Sequence, residues 1–190
     1  MAVSAIALCS RVLLKLGARP IASFDEGTAE AEVAANLYPS VRDALLSAHA
    51  WSFATAQLRL PRLEAPPVAD FSEAFQLPAD FLRAISAGTA ARGRGLRYRV
   101  IDQRLHTSSN EVFLTYVFRP YETDFPPFFD QLLMARLAAE FCIPITESTS
   151  RAEMLYRVAE AEFRRARLID AQQDTPAALE DFPLVEVRGQ

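Results

Sequence analysis

Apolar residues recur at helical spacing over the first fifty positions, alternate through the middle, and return to helical spacing from about residue 124. In "SAIALCSRVLLKLG", Ile6, Cys9, Leu13 and Leu16 share one stripe while Arg11 and Lys15 point away, which predicts a helix over 4–16. Gly17 suits the left-handed position after its last turn, and Pro20 blocks continuation. A second helix is expected over 28–48, with Ala34, Leu37, Val41, Leu45 and Ala48 on one face. Pro39 interrupts it. An interior proline removes a backbone hydrogen bond and crowds the preceding turn, so a kink or two short helices is expected.

From residue 52 the period changes. Ala54, Ala56, Leu58 and Leu60 alternate with Phe53, Thr55, Gln57 and Arg59, which is strand spacing. "PRLEAPP" (61–67) reads as a connector. In "DFSEAFQLPADFLRAIS", Phe71, Phe75 and Leu77 share a face before a turn at Pro78. The loop "AGTAARGRG" (87–95) leads into "LRYRVID", "RLHT" and "NEVFLTYVF". Short gaps at Asp102 and Gln103, and at 108–110, give these three segments the spacing of an antiparallel meander.

"DFPPFFDQLLMARLAAEFCIP" restores the helical period, with Asp124 as the expected cap, prolines in the first turn and a stop at Pro144. Beyond the cap its only charges are Asp130, Arg136 and Glu140, so this helix is expected to be largely buried. A last helix begins with Ser150 and Glu153 in capping-box register and carries Ala152, Leu155, Tyr156, Ala159, Phe163 and Ala166 on one face. At 1.5 Å per residue it makes a rod of roughly 30 Å. Neither helical pair buries its stripe alone. The expected fold is therefore mainly α with a β-rich insertion. A four-helix bundle forms from the N- and C-terminal helix pairs (1–50 and 120–172), with a small antiparallel meander inserted between them (51–119) and an extended tail (173–190).

A chain of 190 residues is one domain, or one domain carrying an inserted one, and 51% hydrophobic residues suffice for a core without staples. The net charge of −4 argues against a dedicated nucleic-acid binder. Of the 20 basic residues only Lys15 is a lysine. Arginine makes forked contacts to carboxylates and phosphates, which suits a contact-rich protein; genome composition gives the same bias. Cys9 and Cys142 sit in apolar helical contexts and read as two buried thiols. The first residues lack a basic flank and a cleavage site, so no signal peptide is expected. No run of eighteen apolar residues exists, so no membrane partner is expected either.

Catalytic signatures are missing. His49 and His106 each lack a second ligand at metal spacing, so no metal is assigned. "GTAARGRG" has no G-K-[ST] and precedes a strand, which fits neither a phosphate loop nor a dinucleotide fingerprint; no cofactor is assigned. No nucleophile–base signature appears, and no catalytic residue is named. Trp51 follows the second helix and opens the strand region. There a large ring fills the wedge between helices and sheet, so it is read as a structural joint.

In order and spacing, five stretches together resemble the tail tubular protein A-like head-to-tail adaptors of tailed bacteriophages, over about residues 4–188. They are "ALCSRVLLKLGARPIASF", "LLSAHAWSFA", "FQLPADFLRAI", "YRVIDQRLHTSSNEVFLTYVFRP" and "FFDQLLMARLAAEFCIPITES". The loop 86–95 and the final tail have no landmark to align. The resemblance implies a virion structural protein without enzymatic activity. It implies a ring of about twelve copies that joins the portal to the tail or nozzle and passes DNA through its lumen without sequence-specific binding. Its place is the head–tail junction, after assembly in the host cytoplasm.

On that reading the β-prone tail end, with Phe182, Leu184, Val185, Val187 and Arg188, is the expected portal contact, added as a strand to a sheet edge. Arg92, Arg94, Arg97 and Arg99 are the expected contacts to the next tail component. The alternative from another class is a small DNA-binding regulatory protein that reads DNA with the same arginines. A hydrolase without a recognised motif is the third possibility.

Overall fold

A computed structural model describes residues 4–90 and 92–173. Helix α1 (Ala5–Leu16) starts where the Ser4 hydroxyl accepts the Ala7 N–H, and it ends at Gly17, whose φ of 87° is the left-handed conformation. Helix α2 (Ala29–Ala48) is capped by the Thr28 hydroxyl, which accepts the Ala31 N–H. It runs as one helix through Pro39, so of the two expected outcomes, a kink or two short helices, the second does not occur. Buried Ala34, Tyr38, Val41 and Leu45 pin the turns on both sides of the proline, and that packing outweighs one lost backbone bond.

Helix α3 (Pro127–Thr146) begins after Pro126; Asp124 is not its cap but lies in a 3₁₀ turn, Glu122–Asp124. It also runs past Pro144 to Thr146 and ends at Glu147, whose φ is 56°. A proline in the last turn costs a single hydrogen bond, too little to stop the helix two residues early. Helix α4 (Thr149–Asp170) is capped by Ser148 rather than Ser150, because the left-handed turn at Glu147 reverses the chain just before it.

The strands are β1 (Thr55–Arg59), β2 (Glu73–Gln76), β3 (Phe81–Gly88), β4 (Tyr98–Ile101), β5 (Arg104–Thr107) and β6 (Phe113–Phe118). They form two three-stranded antiparallel sheets, ordered β1-β6-β3 and β2-β5-β4. The expected three-stranded meander does not form. Strands β4 and β5 do pair across Asp102 and Gln103, but β6 leaves them and becomes the centre of the other sheet. The reason lies in the two faces of β6. Leu114 and Tyr116 join the core between the sheets, whereas Val117 joins the core beneath the helices. A strand apolar on both faces needs a layer on each side.

The small inserted meander and the simple four-helix bundle are therefore both overturned. With about 47% helix and 20% strand, the helices are split by a β-rich region of two sheets, so the β part is a layered region of its own rather than an excursion from a bundle. The layers run helices, then β1-β6-β3, then β2-β5-β4. Nor do the helices close symmetrically: α3 is central and contacts α1, α2 and α4, while α1 and α2 touch only slightly. Phe129, Leu132, Leu133, Met134, Leu137, Ala138, Phe141 and Cys142 bury α3 nearly all round, as its scarcity of charges requires.

Candidate functional site

Trp51 sits where helices and strands meet. It is fully buried, and its indole N–H donates to the Leu45 carbonyl at 2.9 Å, which satisfies the one polar atom of the ring. Around it lie His49 (4.8 Å between centroids, edge-on), Phe129 (5.4 Å) and Phe163 (5.9 Å). The ring thereby gathers α2, α3 and α4 at the start of β1.

Beside it is a buried acid that the sequence reading missed. Asp170 ends α4 at 4% exposure, and its carboxylate accepts the Ser52 N–H (3.1 Å) and hydroxyl (2.7 Å). His49 Nε2 lies 3.6 Å from the same carboxylate. Burial, with help from Arg167 and Arg83, holds the His49 pKa below its ordinary value despite Asp170. The order is serine on carboxylate and histidine on carboxylate, so the imidazole does not stand between a nucleophile and its acid. An acid at a helix end next to a polar segment has the sequence signature of a solvated terminus; nothing in the pattern marks it as buried.

A second polar joint ties α2 to the chain leaving β6. Glu122 accepts the Tyr38 hydroxyl (3.0 Å) and Arg42 (3.0 Å). Asp43 accepts Arg42 (2.9 Å) and a two-pronged contact from Arg119 (3.0 and 2.6 Å). Burial tends to raise the Asp43 pKa, but the bonds from Arg119 and Arg42 outweigh it and hold the carboxyl below its ordinary value.

The four candidate arginines do not act as one patch. Arg97 lies over the Phe71 ring (5.8 Å) and Arg99 pairs with Asp70 (3.2 Å), so these two bind the connector before β2 against strand β4. Arg92 and Arg94 are exposed on the loop after β3 and have no carboxylate within 4 Å among the described residues. The loop is held tightly. Thr89 and Arg92 exchange both backbone bonds (2.9 and 3.1 Å), and the Ser86 hydroxyl donates to the Gly93 carbonyl (3.2 Å). Gly88 makes this possible, because a Cβ there would overlap the Arg92 carbonyl oxygen and the Arg94 nitrogen. Strand β4 is a sheet edge, and it exposes Val100 (40%) and Ile101 (43%).

Between α2 and α4, over α3, runs an open groove of about 480 Å³. Leu37, Val41 and Ala44 form one wall, Ala159 and Phe163 the other, and Leu132 the floor. Its polar rim carries Glu160 and the Arg136–Glu140 pair, joined at 2.9 Å. His106 lies apart from all of this, on β5 opposite Ala74 and Arg99. Among the described residues no three His, Cys, Asp or Glu side chains cluster as a metal site, and no helix is long and apolar enough to cross a membrane. Cys9 and Cys142 are buried and unbridged, and burial pushes the Cys9 thiol up to about 12. The expected portal contacts Phe182, Leu184, Val185, Val187 and Arg188 lie outside the described residues. No family model matches the chain, and no curated protein matches it in sequence.

Proposed function

We propose that this chain is a structural adaptor of a phage head–tail junction, assembling on the portal as a ring of about twelve copies and holding the next tail component. The reading starts from the ordered stretches that resemble tail tubular protein A-like adaptors. The observation that carries it further is the division of labour among polar groups. Ser52, His49 and Asp170, like Asp43, Glu122 and Arg119, are bonded to one another as fasteners between elements, while Arg92 and Arg94 stand out on the loop after β3 with no such partner among the described residues. Such a molecule binds neighbours with its surface and keeps its layers in register with its charges.

The portal takes the C-terminal segment 176–190, and Arg92 and Arg94 meet acidic groups of the tail. DNA passes without being gripped, which the mild net acidity favours. No enzymatic step is assigned. The rival reading, a DNA-binding regulator, is weakened because Arg97 and Arg99 already serve Phe71 and Asp70.

Electron microscopy of the purified chain mixed with portal rings tests the reading. A second ring stacked on the portal is expected, and its loss on deleting 176–190. Salt-sensitive DNA binding by the isolated chain, with no portal association, overturns it.

A further inference from the structure

The groove between α2 and α4 has a counterpart elsewhere on the molecule. Met154, Val158 and Leu168 are exposed on α4 at 58%, 47% and 69%, and exposed Ala161 falls between them. Their spacing of i, i+4, i+7 and i+14 makes one straight stripe about 21 Å long. The buried residues Ala152, Ala159 and Ala166 mark the face of α4 turned to the core. At 3.6 residues per turn, the stripe lies roughly opposite them. The α2 wall of the groove, from Leu37 to Ala48, is about 16 Å long by the same rise. One face of α4 therefore lines an apolar groove, and its other face offers an apolar ridge that is longer than the groove's α2 wall by about one helical turn.

Charge matches as well. Exposed Arg157, Arg164 and Arg165 flank the ridge against Glu153 and Glu162, leaving it net basic. The groove rim is net acidic, since Glu140 and Glu160 face only Arg136.

We infer that the occupant of the groove is a second copy of this chain, whose α4 ridge (Met154, Val158, Ala161 and Leu168) seats between α2 and α4 as a helix in a groove. Ridge and groove differ and face away from each other across one helix. Each copy can thus give its ridge to one neighbour and its groove to another. That contact is heterologous, and it propagates in one direction until the turn per copy closes a ring. The contact is read from the two surfaces themselves; only ring closure rests on the adaptor reading. The Arg136–Glu140 pair would sit under the incoming helix with Glu160 beside its arginines.

The test uses the full chain carrying Ala44→Cys in the groove and Ala161→Cys on the ridge, treated with a short bis-maleimide at high protein concentration, with and without portal rings. Native Cys9 and Cys142 are buried and leave the background clear. The double variant is expected to give a ladder of dimer, trimer and larger species, and each single variant at most a dimer. Adding Val158→Asp is expected to reduce the ladder about tenfold or more, with helical circular dichroism unchanged. Three results each overturn the inference: a double variant that stays monomeric in both conditions, a single variant that cross-links as well as the double, or a ladder indifferent to Val158→Asp. A ladder without portal binding sinks the adaptor reading alone. Portal binding without a ladder sinks this interface alone.

Discussion

Asp170 accepts both the amide and the hydroxyl of Ser52, 118 residues earlier in the chain, and so fastens the end of α4 to the start of the first strand. The carboxylate is almost fully buried, so its bonds are not replaced by solvent when one partner is removed. Asp170→Ala is expected to lower unfolding stability by about 2–3 kcal/mol, with Asp170→Asn losing less because it still accepts one bond. Urea unfolding followed by Trp51 fluorescence reads this directly, since the indole lies in the same joint. Equal stability of wild type and Asp170→Ala would show that the joint holds nothing.

Gly88→Ala is expected to cost about 1–3 kcal/mol, because the atoms that a Cβ would meet are backbone and cannot swing aside. The loop after β3 should then lift from the sheet. Trypsin cutting after Arg92 and Arg94 at native conditions is the sensitive readout: faster cleavage in the variant is expected, and an unchanged rate contradicts the tight fold of this loop.

Local signals were readable where residue type answers a local need directly, as with Gly17 ending α1 or the sparsely charged, buried α3. Pairing was harder. Strand β3 hides in "FLRAISAG" because register shifts after Phe81 and after Ala84 break its alternation, sending Leu82 to the helical core and Phe81 and Ala84 to the other. The choice of partner for β6 depends on layers that form only when distant segments meet. Leu58, which shares its side of the alternation with buried Ala54 and Leu60, is 43% exposed on an edge strand. The arginines illustrate the same limit at the surface: spacing grouped four exposed side chains, and contacts divide them into two that also touch the connector and two without such a partner among the described residues.

Asp43 predicts an acid limb. Its carboxyl titrates below its ordinary value in the folded state, so the stabilisation is complete above the unfolded pKa, about 3.9. It is lost as pH falls through that value towards the folded one. Arg119→Met removes the two-pronged partner of this partly exposed pair, and about 1 kcal/mol should go at neutral pH. The difference from wild type should shrink as the solution is acidified past pH 4 or so. A constant difference across the pH series would assign the effect to packing of the arginine stem instead.

Asp130 carries the opposite sign, which makes it the cleaner test of buried charge in this fold. Its Oδ1 is buried without a hydrogen-bond partner among the described residues, and burial raises its pKa against the opposing pull of Arg11. A carboxyl whose folded pKa is raised is favoured by folding when protonated. Its contribution therefore declines as pH rises from the unfolded pKa through the folded one, and the charged form is a net burden at neutral pH. Asp130→Asn keeps the shape and removes the charge, so it should raise stability by about 1 kcal/mol at pH 7. Some of that gain is offset because a negative charge in the first turn of α3 favours the helix dipole. The advantage should disappear below about pH 4, where wild type is protonated in both states. Thermal melts of the two proteins across that range decide it: a variant less stable at pH 7 would mean that the helix dipole and Arg11 outweigh the desolvation of the carboxylate.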